Sequence, residues 1–240
     1  MSQLSSLTDI CASLSLSICI LATTYITTSC FTASFRPEIF AESERDRYAN
    51  KVIASYSLGA VAFFLGNYHA LVAFTYPETS SFICPNAANL HPDFFTWNTQ
   101  TISYVTLVFA SGYVLVQCFT QLGSHANSIL HLAAPKKLVT GGIYSWVQHP
   151  SYAANFAILC ANIALIYRKD GAVACWLPNS FVGRNKVDLA LSLVNGFVLA
   201  AALGALGMRV RSEEAILKNT FGSDWEAYHK RTKRFIPGVI

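Results

Sequence analysis

Residues 189–208 read LALSLVNGFVLAAALGALGM, a run without a single Asp, Glu, Lys or Arg. About 20 apolar residues in a helix are enough to cross the hydrocarbon core of a bilayer. Four more stretches lack charge in the same way: Ile10–Phe35, Val52–Pro77, Phe94–Pro135 and Leu138–Tyr167. Composition agrees with them. Of the 240 residues, 53% are hydrophobic and 12% are charged, about half the charged share of a soluble domain. That excludes a water-soluble globule, and the wealth of apolar and aromatic side chains excludes a disordered chain. The stretches predict an all-α fold, a polytopic membrane helix bundle with about five transmembrane helices, at roughly 10–33, 52–75, 100–120, 151–167 and 189–208. The fourth of these is the shortest. Gly171–Gly183 is apolar but too short to cross, and fits the membrane interface.

Several other classes fall away. The first residues, MSQLSSLTDI, carry no basic n-region, so no cleaved signal peptide is expected. The 7 cysteines include no CxxC pair and no metal spacing. They read as small buried hydrophobes, with Cys84 and Cys175 able to pair if both loops are lumenal. A net charge of +4 is modest and is not gathered into a stripe, so no nucleic-acid partner is expected. No internal repeat of the kind found in transporters is present.

Basic residues in the loops set the orientation. The loop after the first span holds Arg36, Arg45, Arg47 and Lys51; the loop after the third holds Lys136 and Lys137; the tail after the fifth runs from Arg209 to Arg234. With the N-terminus outside, all 17 Lys and Arg face the cytosol except Arg168, Lys169, Arg184 and Lys186, in the loop before the fifth span. The C-terminus is then cytosolic.

Two polar segments fall on that cytosolic side. The first ends in LVTGGIYSWVQHPSY, residues 138–152. Pro150 suits the first turn of a helix, where its missing N–H is no loss. The free N–H groups of that turn can receive an anionic group, although a plain helix start flanked by interfacial aromatics has the same pattern. The second segment is MRVRSEEAILKNTFGSDWEAYHKRTKRFIPGVI, residues 208–240. Arg209 and Glu213 are four apart and share a helix face. They read either as a salt bridge on a solvated helix end or as two opposite charges at the mouth of a membrane cavity, where Arg grips a carboxylate and Glu an ammonium. Phe221-Gly222 breaks the helix. Trp225, Tyr228 and Phe235 read as interfacial anchors, with Lys230, Arg231, Lys233 and Arg234 facing anionic lipid.

Leu138-Val139-Thr140-x-Gly142-x-Tyr144-Ser145-Trp146 followed by His149-Pro150-Ser151-Tyr152, and then Arg209-x-x-x-Glu213-Glu214 with Leu217, Phe221, Tyr228, Lys230-Arg231 and Pro237, resembles the signature of the isoprenylcysteine carboxyl methyltransferases. The resemblance covers the chain from about Gln117 onward. It implies a helical membrane fold with a cytosolic C-terminal cofactor pocket and S-adenosylmethionine as cofactor. It also implies methyl esterification of the C-terminal prenylcysteine carboxylate of prenylated, CaaX-processed proteins, in the endoplasmic reticulum membrane. Carried across by position, it implies a cofactor shell of His131, Lys136, Lys137, Leu138, Val139, Tyr144, His149, Pro150, Ser151, Tyr152 and Glu213. Arg209 becomes the residue that binds the substrate carboxylate and acts in catalysis, and no metal is implied. The chain then divides into N-terminal transmembrane helices, 1–120, and a methyltransferase core with two transmembrane helices and a cytosolic tail, 121–240.

The chain departs from the family pattern at Gln148, where Arg is usual, at Ala154, where Gly is usual, and at Ser128, where a histidine is usual. Two other readings stay open: a methyltransferase for phospholipid or another lipid, and a non-catalytic membrane scaffold.

Overall fold

The charge-free stretches fold as helices because, in a bilayer, every backbone N–H and C=O has to be satisfied within the segment itself. The computed structural model of the chain describes residues 2–33, 45–123, 137–178 and 185–238. Six α-helices lie among them: α1 (Ser2–Ala33), α2 (Arg45–Thr75), α3 (Thr99–Leu122), α4 (Pro150–Leu165), α5 (Asn185–Phe221) and α6 (Ser223–Arg231). The described residues contain no strand, only an isolated parallel bridge between Val147 and Lys233. The fold is therefore an all-α membrane helix bundle. By length and composition, the apolar parts of α1, α2, α3 and α5 can each cross a membrane. The fourth expected span, 151–167, falls on α4, which has 16 residues and is shorter than those four.

The chain forms two compact units. The first comprises residues 1–109 and 158–196. Here α1 lies along α2, with Leu16, Ile20, Thr23 and Thr27 buried. Gly66 lets the two helices come close, since a Cβ there would run into the Thr24 hydroxyl. Ser17 Oγ donates to Ala70 O at 2.9 Å across the pair. Polar side chains also join helices within this unit: Asn162 Nδ2 donates to Thr27 Oγ1 at 3.1 Å, and Tyr104 donates to Thr23 Oγ1 at 3.1 Å. His69, fully buried, donates from Nε2 to Phe94 O at 2.9 Å and stacks on Phe95.

One end of this unit is a covalently closed cap. Cys84 and Cys175 form a disulfide. Around it, Asn86 N donates to Cys175 O, Asn89 Nδ2 to Leu177 O at 2.9 Å, and His91 N to Asp170 O at 3.0 Å. Arg168 clasps Asp170 through two hydrogen bonds, of 2.8 and 2.9 Å, and lies over the Phe94 ring. The pairing that the sequence allowed for lumenal loops is thus made. Within the apolar segment 171–183, the structure shows a short 3-10 turn at Ala172–Trp176.

The second unit comprises residues 110–157 and 197–240 and holds every motif residue that the structure describes. Its centre is Cys118, Leu122 and Tyr144, with Val114, Val139 and Ile143 packed against them. Gly142 makes this approach possible. Its φ is +58°, and a Cβ would run into the side-chain amide oxygen Oε1 of Gln121, which accepts the Ile143 N–H at 2.9 Å. Pro150 opens α4, as expected, and α5 runs on past residue 208 to Phe221. Gly222, at φ +51°, then turns the chain into α6.

Candidate active site

The site is built on the start of α4 and the polar end of α5. Arg209 and Glu213 lie one turn apart on α5. The Tyr152 hydroxyl, on the first turn of α4, donates to Glu213 Oε2 at 2.8 Å and accepts from Arg209 Nε at 3.2 Å. His149, 3% exposed, stands between two carboxylates: its Nδ1 is 3.8 Å from Glu213 Oε2 and its Nε2 is 3.4 Å from Glu214 Oε1. Glu213 is itself 8% exposed.

Two cavities adjoin these side chains. A polar one, of about 30 Å³, is lined by Lys137, Leu138, Val139, Tyr144, Gln148, His149 and Glu213, together with Leu122, Leu217, Trp225 and Tyr228. An apolar one, of about 380 Å³, is lined by Tyr152, Ala153, Phe156, Ala157, Leu203, Leu206, Gly207, Phe235 and Ile236. Tyr152 belongs to the second cavity while its hydroxyl reaches Glu213, which lines the first.

The motif residues are brought together to different degrees. Lys137, Leu138, Val139, Tyr144, His149 and Glu213 share the polar cavity. Pro150 and Ser151 do not line it; Pro150 is buried as the first residue of α4, and Ser151 is half-buried beside it. Tyr152 faces the apolar cavity instead. His131 and Lys136 lie outside the described residues, as does Ser128.

Two expectations for the tail need correction. Trp225 and Tyr228 are not exposed interfacial anchors. They are 6% and 4% exposed and wall the polar cavity. Nor does Arg234 simply face lipid: its guanidinium makes two hydrogen bonds, of 2.7 and 2.9 Å, to the Glu214 carboxylate. Both follow from a strap that the sequence does not announce. Gln148 N donates to Lys233 O at 2.8 Å and His149 N to Arg234 O at 2.9 Å, across the Val147–Lys233 bridge. The Gln148 side chain donates to Thr232 O and accepts from His229 Nδ1 at 2.9 Å. Tyr228 donates to Tyr144 O at 2.7 Å. Only the 3-residue spacing of Trp225 and Tyr228 in an otherwise polar helix hinted at a buried face. Lys230, Arg231 and Lys233 remain exposed.

Burial shapes the titration of this wall. It pushes the phenols of Tyr144 and Tyr228 well up, so both stay neutral donors. It holds the His229 imidazole below its ordinary 6.5. Arg234 is raised, above all by its hydrogen bonds to Glu214.

Chemically, the polar cavity offers a buried carboxylate and the faces of Tyr144, Trp225 and Tyr228, a donor set that suits a cation. The apolar cavity offers hydrocarbon surface beside an arginine that is hydrogen-bonded at Nε.

Comparison with known proteins agrees with the motif. Residues 104–180 match the family described as the isoprenylcysteine carboxyl methyltransferase (ICMT) family. A protein-S-isoprenylcysteine O-methyltransferase of Schizosaccharomyces pombe (strain 972 / ATCC 24843) is 28% identical over 149 residues, which are 60% of this chain and 51% of the relative. The chain thus spans about half the length of the curated relative it matches. No solved structure matches. Residues 104–180, which take in most of α3 and all of α4, are thus similar to the isoprenylcysteine carboxyl methyltransferase family, and 149 residues of the chain to this relative.

Proposed function

We propose that the chain methylates the C-terminal prenylcysteine carboxylate of prenylated, CaaX-processed proteins, with S-adenosylmethionine as methyl donor. One observation carries the reading. Arg209 and Glu213 are joined through the Tyr152 hydroxyl, where a polar cavity with a buried carboxylate adjoins an apolar one of about 380 Å³. Such a volume lies within the usual range of ligand pockets, roughly 300–1,000 Å³. Burial of each prenyl CH₂ contributes about 0.8 kcal/mol, so the lipid tail belongs against Phe156, Leu203, Leu206 and Phe235. Arg209 then takes the carboxylate at the groove's polar end.

Glu213 suits the donor's amino group, and the aromatic wall of Tyr144, Trp225 and Tyr228 suits its cationic and ring portions. The polar cavity, of about 30 Å³, is smaller than such a ligand, so its walls move apart when the ligand enters. When bound, S-adenosylmethionine supplies a methyl group on a positively charged sulfur. The acid needs no general base, because a terminal carboxyl with a pKa near 3.5 is already ionised. What the chain supplies is alignment, which can lower a barrier by roughly 7–11 kcal/mol. The groove also keeps water from the carboxylate.

The orientation belongs to the same proposal. Disulfides persist in oxidising compartments. The Cys84–Cys175 cap therefore supports a lumenal side for the loops after α2 and α4, and a cytosolic C-terminus in the endoplasmic reticulum membrane. The basic residues of the other loops agree.

The test is methyl transfer from labelled cofactor, in detergent or vesicles, to a farnesylcysteine mimic and to a phospholipid in parallel. Transfer to the farnesylcysteine acid is the expected result. Transfer to the phospholipid alone would reject this substrate in favour of a lipid amine, a neutral nucleophile for which a carboxylate-gripping Arg209 has no use. Absence of cofactor binding by calorimetry would leave a scaffold.

A further inference from the structure

Tyr152 entered the cofactor shell only by position in the motif, and its geometry gives it a different role. Its ring is part of the apolar groove, beside Phe156, Leu203 and Phe235. Its hydroxyl turns out of the groove and meets both charged groups of the site. Proton bookkeeping fixes the direction of each bond. An ionised carboxylate only accepts and a guanidinium only donates, whereas a phenol does both at once. Tyr152 therefore gives its single proton to Glu213 Oε2, at 2.8 Å, and receives the Nε–H of Arg209, at 3.2 Å. The ring orientation is fixed in turn by Pro150-opened α4 and by His149, whose ring is 5.6 Å away.

We propose that Tyr152 is a positioning residue. It holds the guanidinium of Arg209 in a set relation to Glu213, so that the acid gripped by one and the cationic donor gripped by the other are presented in register. Long side chains such as Arg lose much rotamer freedom when ordered, and a hydrogen bond at Nε removes that freedom before the substrate arrives. The groove wall and the aligning hydroxyl are one side chain, so a lipid seated against the ring also meets an arginine already aimed. The inference rests on the function proposed above.

The experiment uses the full chain with Tyr152→Phe, Arg209→Lys and the double variant. The Phe ring keeps the groove wall and loses both hydrogen bonds; Lys keeps the positive charge and loses the Nε–H. Methyl transfer to the farnesylcysteine mimic gives KM and kcat, calorimetry gives the cofactor Kd, and thermal melting reports folding. In Tyr152→Phe the KM for the acid is expected to rise about tenfold, the order set by one hydrogen bond to a charged group. The cofactor Kd stays within about twofold, with Tm unchanged. Because both substitutions cut the bond between Tyr152 and Arg209, their effects on KM are less than multiplicative in the double variant. Wild-type kinetics in Tyr152→Phe, multiplying effects in the double variant, or parallel losses of KM, cofactor Kd and Tm would each overturn the proposal, the last by making the phenol merely structural. A wild-type chain that transfers no methyl to the acid defeats the proposed function instead, and shows it before any variant is compared.

Discussion

Arg209 and Glu213 differ in what they touch, and substitution is expected to separate them. Arg209→Ala should keep cofactor binding by calorimetry and lose methyl transfer. Glu213→Ala should lose both, since the buried carboxylate lines the polar cavity. Turnover retained in either variant refutes the assigned roles. Gly142 makes a different kind of prediction. An L side chain at φ +58° costs about 1–2 kcal/mol, and the new methyl has to displace Gln121 from the Ile143 N–H as well. Gly142→Ala is therefore expected to lower the thermal midpoint and weaken cofactor binding together. At this scale the sequence was informative where the candidate site is written in side chains: His149, Glu213, Arg209 and Tyr144 were visible as a motif. Gln148 was visible only as a departure. Its work, binding both His229 and Thr232, each more than 80 residues from it in sequence, has no local trace.

Among the elements, α4 and α5 were legible and α6 was half so. Charge-free runs marked where the spans lie, Pro150 marked a start, and Phe221-Gly222 marked a break. The 9 residues of α6 carry too few apolar positions to show which face is buried, so Trp225 and Tyr228 resembled membrane anchors until the strap gave them a partner. The strap is also where pH should be felt. Burial lowers the His229 pKa below 6.5 in the fold. The unfolded chain therefore takes up the proton first as pH falls. The contribution of His229 is complete above about 6.5 and is lost as pH drops toward the folded-state value. Melting measured between about pH 8 and pH 5 should show α6 loosening on the acid side, with His229→Gln flattening that part of the slope. An unchanged slope in that variant would remove His229 from the account.

Taken whole, the chain is a lipid-facing bundle with a covalent cap on its first unit and a polar, strapped site in its second. A crosslink that closes a loop of this length, 91 residues apart in sequence, stabilises by about 4 kcal/mol where it constrains the unfolded chain. Cys84→Ser is therefore expected to lower the thermal midpoint under oxidising conditions and to match the wild type under reductant. In sealed microsomes, Cys84 and Cys175 should resist an impermeant thiol reagent after reductant is confined to the outside, and react once the membrane is opened. Reaction in intact vesicles would reverse the proposed orientation. One more consequence comes from how Gln148 and His149 hold the tail. Their N–H groups meet the carbonyls of Lys233 and Arg234, which every amino acid possesses. Evolution can thus rewrite position 233 freely while the clasp survives, and kinship in this tail is better traced by shape than by spelling.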